Sequence, residues 1–126
     1  MAYMKATPGG GGGFPFPGVA YFCYYTYSGQ RSAFENKSLP TFQFSCPQES
    51  AYYGLINVEG YSAFSITGTT TVASLVEYAE DGTIIDTHEA MTSLSVTFNA
   101  NTKYIMFSGN MYYGPSAAFT ATVTLS

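Results

Sequence analysis

The sequence predicts an all-β protein: one antiparallel β-sandwich, jelly-roll-like or Ig-like, of about eight or nine short strands with an extended N-terminal arm. Three observations predict it. Apolar and polar residues alternate over 93–98 and 119–125, the period of a strand with one buried face. Turn signals recur at short intervals, at Glu59-Gly60, Asp81-Gly82 and Asn99-Ala100-Asn101. No segment keeps a 3.6-residue apolar period over three turns, and only 89–92 reads as a short helical turn.

Residues 1–18 read as the arm. Positions 9–13 are all glycine, and Phe14-Pro15-Phe16-Pro17-Gly18 follows. Glycine makes such a segment flexible, and proline holds it extended. It is either a solvated tail or a strap lying on a neighbour, with Phe14 and Phe16 as anchors. Residues 19–126 then form a single sandwich domain, the expected organisation for a chain of 126 residues.

Segment 19–27 is rich in aromatics and alternates poorly, as a strand covered on both faces does. Segment 29–40 is polar, holds Arg31 and Lys37, and reads as a connection. Strands are expected over 41–46 (closed by Pro47), 51–58 and 61–67. A hairpin joins 72–79 to 83–88 through Glu80-Asp81-Gly82, since Asp-Gly suits positive φ. In 93–98, Leu94, Val96 and Phe98 share one face and Ser93, Ser95 and Thr97 the other. Segment 103–108 is a further strand, and 109–115 a loop with Met111, Tyr112 and Tyr113. The chain ends on 119–125, where Phe119, Ala121, Val123 and Leu125 alternate with threonines.

Composition narrows the function classes. Charged residues make up 10%, against roughly 25% in an average soluble protein. Aromatics make up 17%, with 12 Tyr, 10 Phe and no Trp. A domain this small is expected to show many of those rings at its surface. Interfaces are enriched in Tyr, Phe and Met and depleted in Lys and Glu, so an assembled subunit fits this composition. Four basic residues and a net charge of −4 make no phosphate-tracking stripe and no basic membrane anchor, which excludes nucleic acid and membrane as partners. Cys23 and Cys46 lack a nearby His or a C-x-x-C partner, so buried free thiols are expected rather than zinc or redox chemistry. No secretory signal is visible. Taken as complete from Met1, the chain is expected to be made in the cytoplasm.

Candidate chemistry is sparse, and no catalytic, cofactor or metal residue is assigned. His88 is the single histidine, beside Glu89 and near Asp86. Ser93 or Ser95 completes a nucleophile–His–acid drawing, but no nucleophile-elbow sequence specifies it. An exposed strand-end or loop histidine is the plainer reading, and the chain is expected not to be an enzyme. Glu77, Glu80, Asp81 and Asp86 gather on one hairpin without a calcium-loop pattern, as a solvated acidic hairpin does. Tyr52-Tyr53 and Tyr112-Tyr113 are doublets in or next to expected loops; with Phe14, Phe16 and Met111 they are the candidate protein-interaction residues. Asn36-Lys37-Ser38 matches the N-glycosylation pattern, which matters only on a eukaryotic secretory route.

Two resemblances bear on the whole. Leu75-Val76-Glu77-Tyr78, Asp81-Gly82-Thr83, 93–98 and Ala100-Asn101-Thr102-Lys103-Tyr104-Ile105 make residues 61–108 similar to the later strands of bacterial pre-peptidase C-terminal domains. Those are non-catalytic jelly-roll-like appendages; Asn101 stands where they usually have glycine. In size, missing signal and extended arm the chain also resembles the small β-sandwich decoration (cement) proteins of tailed bacteriophage heads. That resemblance implies a homo-oligomeric structural subunit on the capsid surface, made in the host cytoplasm and bound to the major capsid protein or other virion subunits. The alternatives are a tail- or fibre-associated virion protein and an extracellular, carbohydrate-binding module, calcium-assisted or not.

Overall fold

The structure is a computed structural model that describes residues 16–26, 30–109 and 118–126. Among them lie ten strands: β1 (Val19–Thr26), β2 (Glu35–Ser38), β3 (Thr41–Cys46), β4 (Ser50–Asn57), β5 (Ala63–Thr67), β6 (Val72–Tyr78), β7 (Ile84–Met91), β8 (Leu94–Thr97), β9 (Tyr104–Gly109) and β10 (Phe119–Leu125). A six-stranded sheet runs β2-β1-β4-β9-β6-β7 and a four-stranded sheet β3-β10-β5-β8, with every strand pair antiparallel.

The pairing is nested. β6 pairs with β7, β5 with β8, β4 with β9 and β3 with β10. One long hairpin has been rolled up, which is the jelly-roll arrangement. The expected β-sandwich is therefore present. β1 and β2 extend it beyond β4 and cover that strand's free edge.

Three local expectations change. The polar connection holds a strand, β2, whose side chains are mostly exposed and leave no alternation to read. Residues 89–91 continue β7 instead of turning into a helix, and Thr92 ends the strand at φ 63°. Tyr52 and Tyr53 lie inside β4, not near a loop, and both are buried. β4 is a central strand with both faces covered, so consecutive rings are accommodated on opposite sides.

The core between the sheets is largely aromatic. Phe22, Tyr52 and Phe107 come from the six-stranded sheet; Phe42, Phe44, Phe64 and Phe119 come from the other. Phe22 lies 4.7 Å from Phe44 and Tyr52 lies 4.8 Å from Phe44, ring centre to ring centre. Two glycines make room. Gly54 faces Phe107 and Gly109 faces Tyr52 across the β4–β9 ladder, and a Cβ at either glycine would run into the facing ring.

The outward face of the six-stranded sheet is also apolar. Leu55, Tyr78, Tyr104 and Met106 form a second buried cluster there, flanked by Tyr21 and Val76. Nearer β2, Tyr25 stacks on Tyr53 at 5.2 Å and Phe34 meets Tyr53 edge-on at 6.0 Å. Among the described rings only Phe16 is exposed. Of the other described rings ten are buried and six partly buried, since this sheet takes aromatics on both faces.

Gly54→Ala and Gly109→Ala are each expected to lower stability by about 1–3 kcal/mol, the usual cost of overpacking a core. Tyr52→Phe is expected to be neutral or stabilising by about 1 kcal/mol, because the buried Tyr52 hydroxyl has no hydrogen-bond partner among the described residues. Urea denaturation of the three variants checks both statements.

Candidate functional site

One group of titratable side chains among the described residues lies at the β6–β7 end of the six-stranded sheet. Along β6, Ala73, Leu75 and Glu77 share the core-facing side. Glu77 is thus an acid in phase with core residues, and it is fully buried. Its register partner on β7 is Asp86, and Leu75 faces His88.

Four donors surround the Glu77 carboxylate. The Asn99 N–H (2.8 Å) and the Thr102 hydroxyl (2.7 Å) donate to Oε1. Asn99 Nδ2 (3.1 Å) and His88 Nε2 (2.5 Å) donate to Oε2. Since the carboxylate only accepts, the ring proton sits on Nε2. Asp86 Oδ2 lies 3.7 Å from the same nitrogen. Burial pushes the Glu77 carboxyl up, but the hydrogen bonds from His88, Thr102 and Asn99 outweigh it and hold the group below its ordinary value.

This arrangement has a structural task. Asn99 and Thr102 belong to the connection between β8 and β9, which joins the two sheets. Glu77 ties that connection to β6 and satisfies a backbone N–H that the strand ladders leave over. The expected solvated acidic hairpin is corrected accordingly. Glu80, Asp81 and Asp86 are exposed, whereas Glu77 is a core group. Asp81 instead orders its own turn by accepting from the Thr83 N–H at 3.0 Å. The expected loose histidine is corrected as well: His88 lies within β7 and is held by Glu77. Its side-chain partners among the described residues are Glu77 and Asp86, not Ser93 or Ser95.

Compared with protein-family models and with curated proteins, the chain matches none.

The candidate interaction residues separate into three groups. Phe14, Met111, Tyr112 and Tyr113 lie outside the described residues. Tyr52 and Tyr53 are buried and leave the interaction set. Phe16 is 52% exposed, with its ring 6.4 Å from Tyr21, and Pro17 bridges to Asn57. The large hydrophobic side chains exposed alongside it are Ile84 (58%) and Met91 (64%), one at each end of β7. Sequence reasoning missed both, because an edge strand shows no alternation that marks its outward residues.

Cys23 and Cys46 are both buried and are not joined in a disulfide, as expected. Burial raises the Cys23 thiol, which makes it a poor nucleophile. A shallow depression of about 270 Å³ lies over β5 and β8, floored by Phe64, Ser65, Ser95 and Thr97. It offers no titratable side chain and falls below the roughly 300–1,000 Å³ of ordinary ligand pockets.

Glu77→Ala is expected to cost about 3–5 kcal/mol, since it strands the Asn99 and Thr102 donors; Glu77→Gln, which keeps part of the network, should cost less. The Glu77 carboxyl has a lowered folded value. Its contribution is therefore complete above the ordinary glutamate range and disappears as pH falls through the folded value. Thermal unfolding followed across acidic pH should show that loss in the parent protein and a shallower one in Glu77→Gln.

Proposed function

We propose that this chain is a non-catalytic structural subunit of a large assembly, of the kind that decorates tailed-phage heads. The observation that carries this reading is the placement of its exposed large apolar groups. Ile84 and Met91 sit at the two ends of β7, an open sheet edge, and Phe16 sits where the N-terminal segment enters the domain. Isolated surface apolar residues need no explanation, but a long edge strand with apolar groups at both ends is a site for contact with another chain.

Composition supports the same reading less directly. Most of the described rings are buried. The contact surfaces are then the β7 edge and the N-terminal segment. The sparse charge remains consistent with a surface that meets other protein surfaces. Jelly rolls serve capsid and lectin proteins alike, so the architecture is compatible with the proposal without selecting it.

The mechanism is mechanical. The sandwich sits on a shell formed by a major capsid protein or another virion subunit. The N-terminal segment reaches a neighbour, with Phe14 and Phe16 as its anchors. Buried apolar surface contributes roughly 25 cal/mol per Å², from which ordering costs subtract. Each contact is therefore weak, and repetition over many copies supplies the avidity.

In gradient sedimentation of extracts from its source, the chain should run with a large particle. Removal of residues 1–18, or Ile84→Lys with Met91→Lys, should move it to the slow-sedimenting fraction while circular dichroism keeps its β spectrum. A parent chain that sediments only as a lone monomer overturns the proposal.

A further inference from the structure

Glu77, Asp86 and His88 place three potential ligand atoms within 4.8 Å of one another. All three side chains leave the core-facing side of the sheet at one edge. Asp86 and His88 follow a D-x-H spacing on β7, and Glu77 stands directly opposite Asp86 on β6.

The charge at this place is not balanced. Two carboxylates face each other across a ladder, an arrangement that ordinarily destabilises a sheet. One of them is fully buried. The described basic residues are engaged elsewhere: Lys37 pairs with Glu35, Lys103 pairs with Glu59, and Arg31 lies over Phe34. His88 alone stands between the two acids, within 2.5 Å of one and 3.7 Å of the other.

We infer that Glu77 Oε2, Asp86 Oδ2 and His88 Nε2 form a binding site for a divalent transition-metal ion of the zinc type. Imidazole together with carboxylates suits zinc better than calcium, which takes six or more oxygen ligands. The hydrogen bonds from Asn99 and Thr102 already orient the Glu77 carboxylate, as outer partners of metal-ligating carboxylates do. Asp86 is half exposed and His88 partly so, which gives the ion a path and leaves room for water as a fourth ligand. In the metal-free chain the Nε2 proton occupies the ion's position. Binding shifts the neutral ring to its other tautomer: the proton leaves Nε2 through solvent, Nδ1 takes one up, and the Nε2 lone pair faces the metal.

Bonds of about 2.0–2.2 Å put tetrahedral ligand atoms about 3.4 Å apart. The His88 ring therefore withdraws from Glu77 by about 1 Å, within reach of a side-chain adjustment, and Asp86 swings inward. The ion then joins β6 to β7 at the sheet edge. This inference does not depend on the assembly proposal.

The test uses the full chain, treated with a chelator and dialysed, and titrated with zinc chloride by calorimetry. Thermal unfolding is recorded with and without zinc. One zinc per chain is expected, with a raised melting temperature. Asp86→Asn should weaken binding at least tenfold, and His88→Gln should abolish both the heat and the thermal shift. Glu77 is left intact because its loss disturbs the fold. Absence of saturable zinc uptake by the parent chain overturns the inference. So does undiminished binding by His88→Gln, which would place the ion elsewhere, for instance at the thiols.

Discussion

The fold depends on an exchange of size across one ladder. On the core-facing side of β4 and β9, Tyr52 meets Gly109 and Gly54 meets Phe107. Each ring occupies the space that the facing residue does not fill. Two large side chains opposite one another there would force the sheets apart. With the glycines in place, Phe22, Phe42, Phe44, Phe64 and Phe119 close around Tyr52 and Phe107 as a single cluster. Glycine ordinarily weakens a strand, but here the facing ring supplies the packing that a side chain would have provided. The Tyr52 hydroxyl has no hydrogen-bond partner among the described residues, so among them it is the ring that contributes the packing.

The nested pairing of β3 to β10 builds on that ladder. β4 and β9 are the middle pair of the six-stranded sheet, and the strands on either side inherit their register from it. Addition of β1 and β2 beyond β4 makes that strand internal. Its outward face then carries Tyr53 and Leu55 and becomes a second apolar layer with Tyr104 and Met106. This explains how a chain of this size holds so many rings. The composition was compatible with a sticky surface or with a sheet covered on both sides, and the described rings follow the second course.

Where alternation was clean the sequence was legible. β3, β8 and β10 each bury every second side chain, and the hairpin at Asp81-Gly82 lies where its turn chemistry puts it. β2 was hidden because an exposed edge strand with Glu35, Asn36 and Lys37 has the composition of a loop. Tyr52-Tyr53 misled because adjacent rings suggest a surface patch unless both faces of the strand are known to be covered. Glu77 could have been found. It continues the inward series Ala73, Leu75, and an acid in that phase must be either a break in the strand or a buried, fully bonded group. Asn99 and Thr102 could not have been found, since they reach it only through the roll of the sheet.

β7 combines two demands that explain its irregular sequence. Its core-facing side contributes Asp86 and His88 to the network around Glu77, so it cannot be uniformly apolar there. At its ends it exposes Ile84 and Met91, so it is not uniformly polar outside either. The bulge between Glu77 and Tyr78 lets both hold, since Glu77 stays opposite Asp86 while Tyr78 meets Ile84. Asp86 Oδ1 also accepts from the Thr87 N–H at 2.8 Å, which closes one donor at the strand's middle. That closure disfavours uncontrolled edge pairing and leaves the strand's ends for side-chain contacts. β7 thus turns Asp86 and His88 to its own fold, while Ile84, Glu89 and Met91 are exposed.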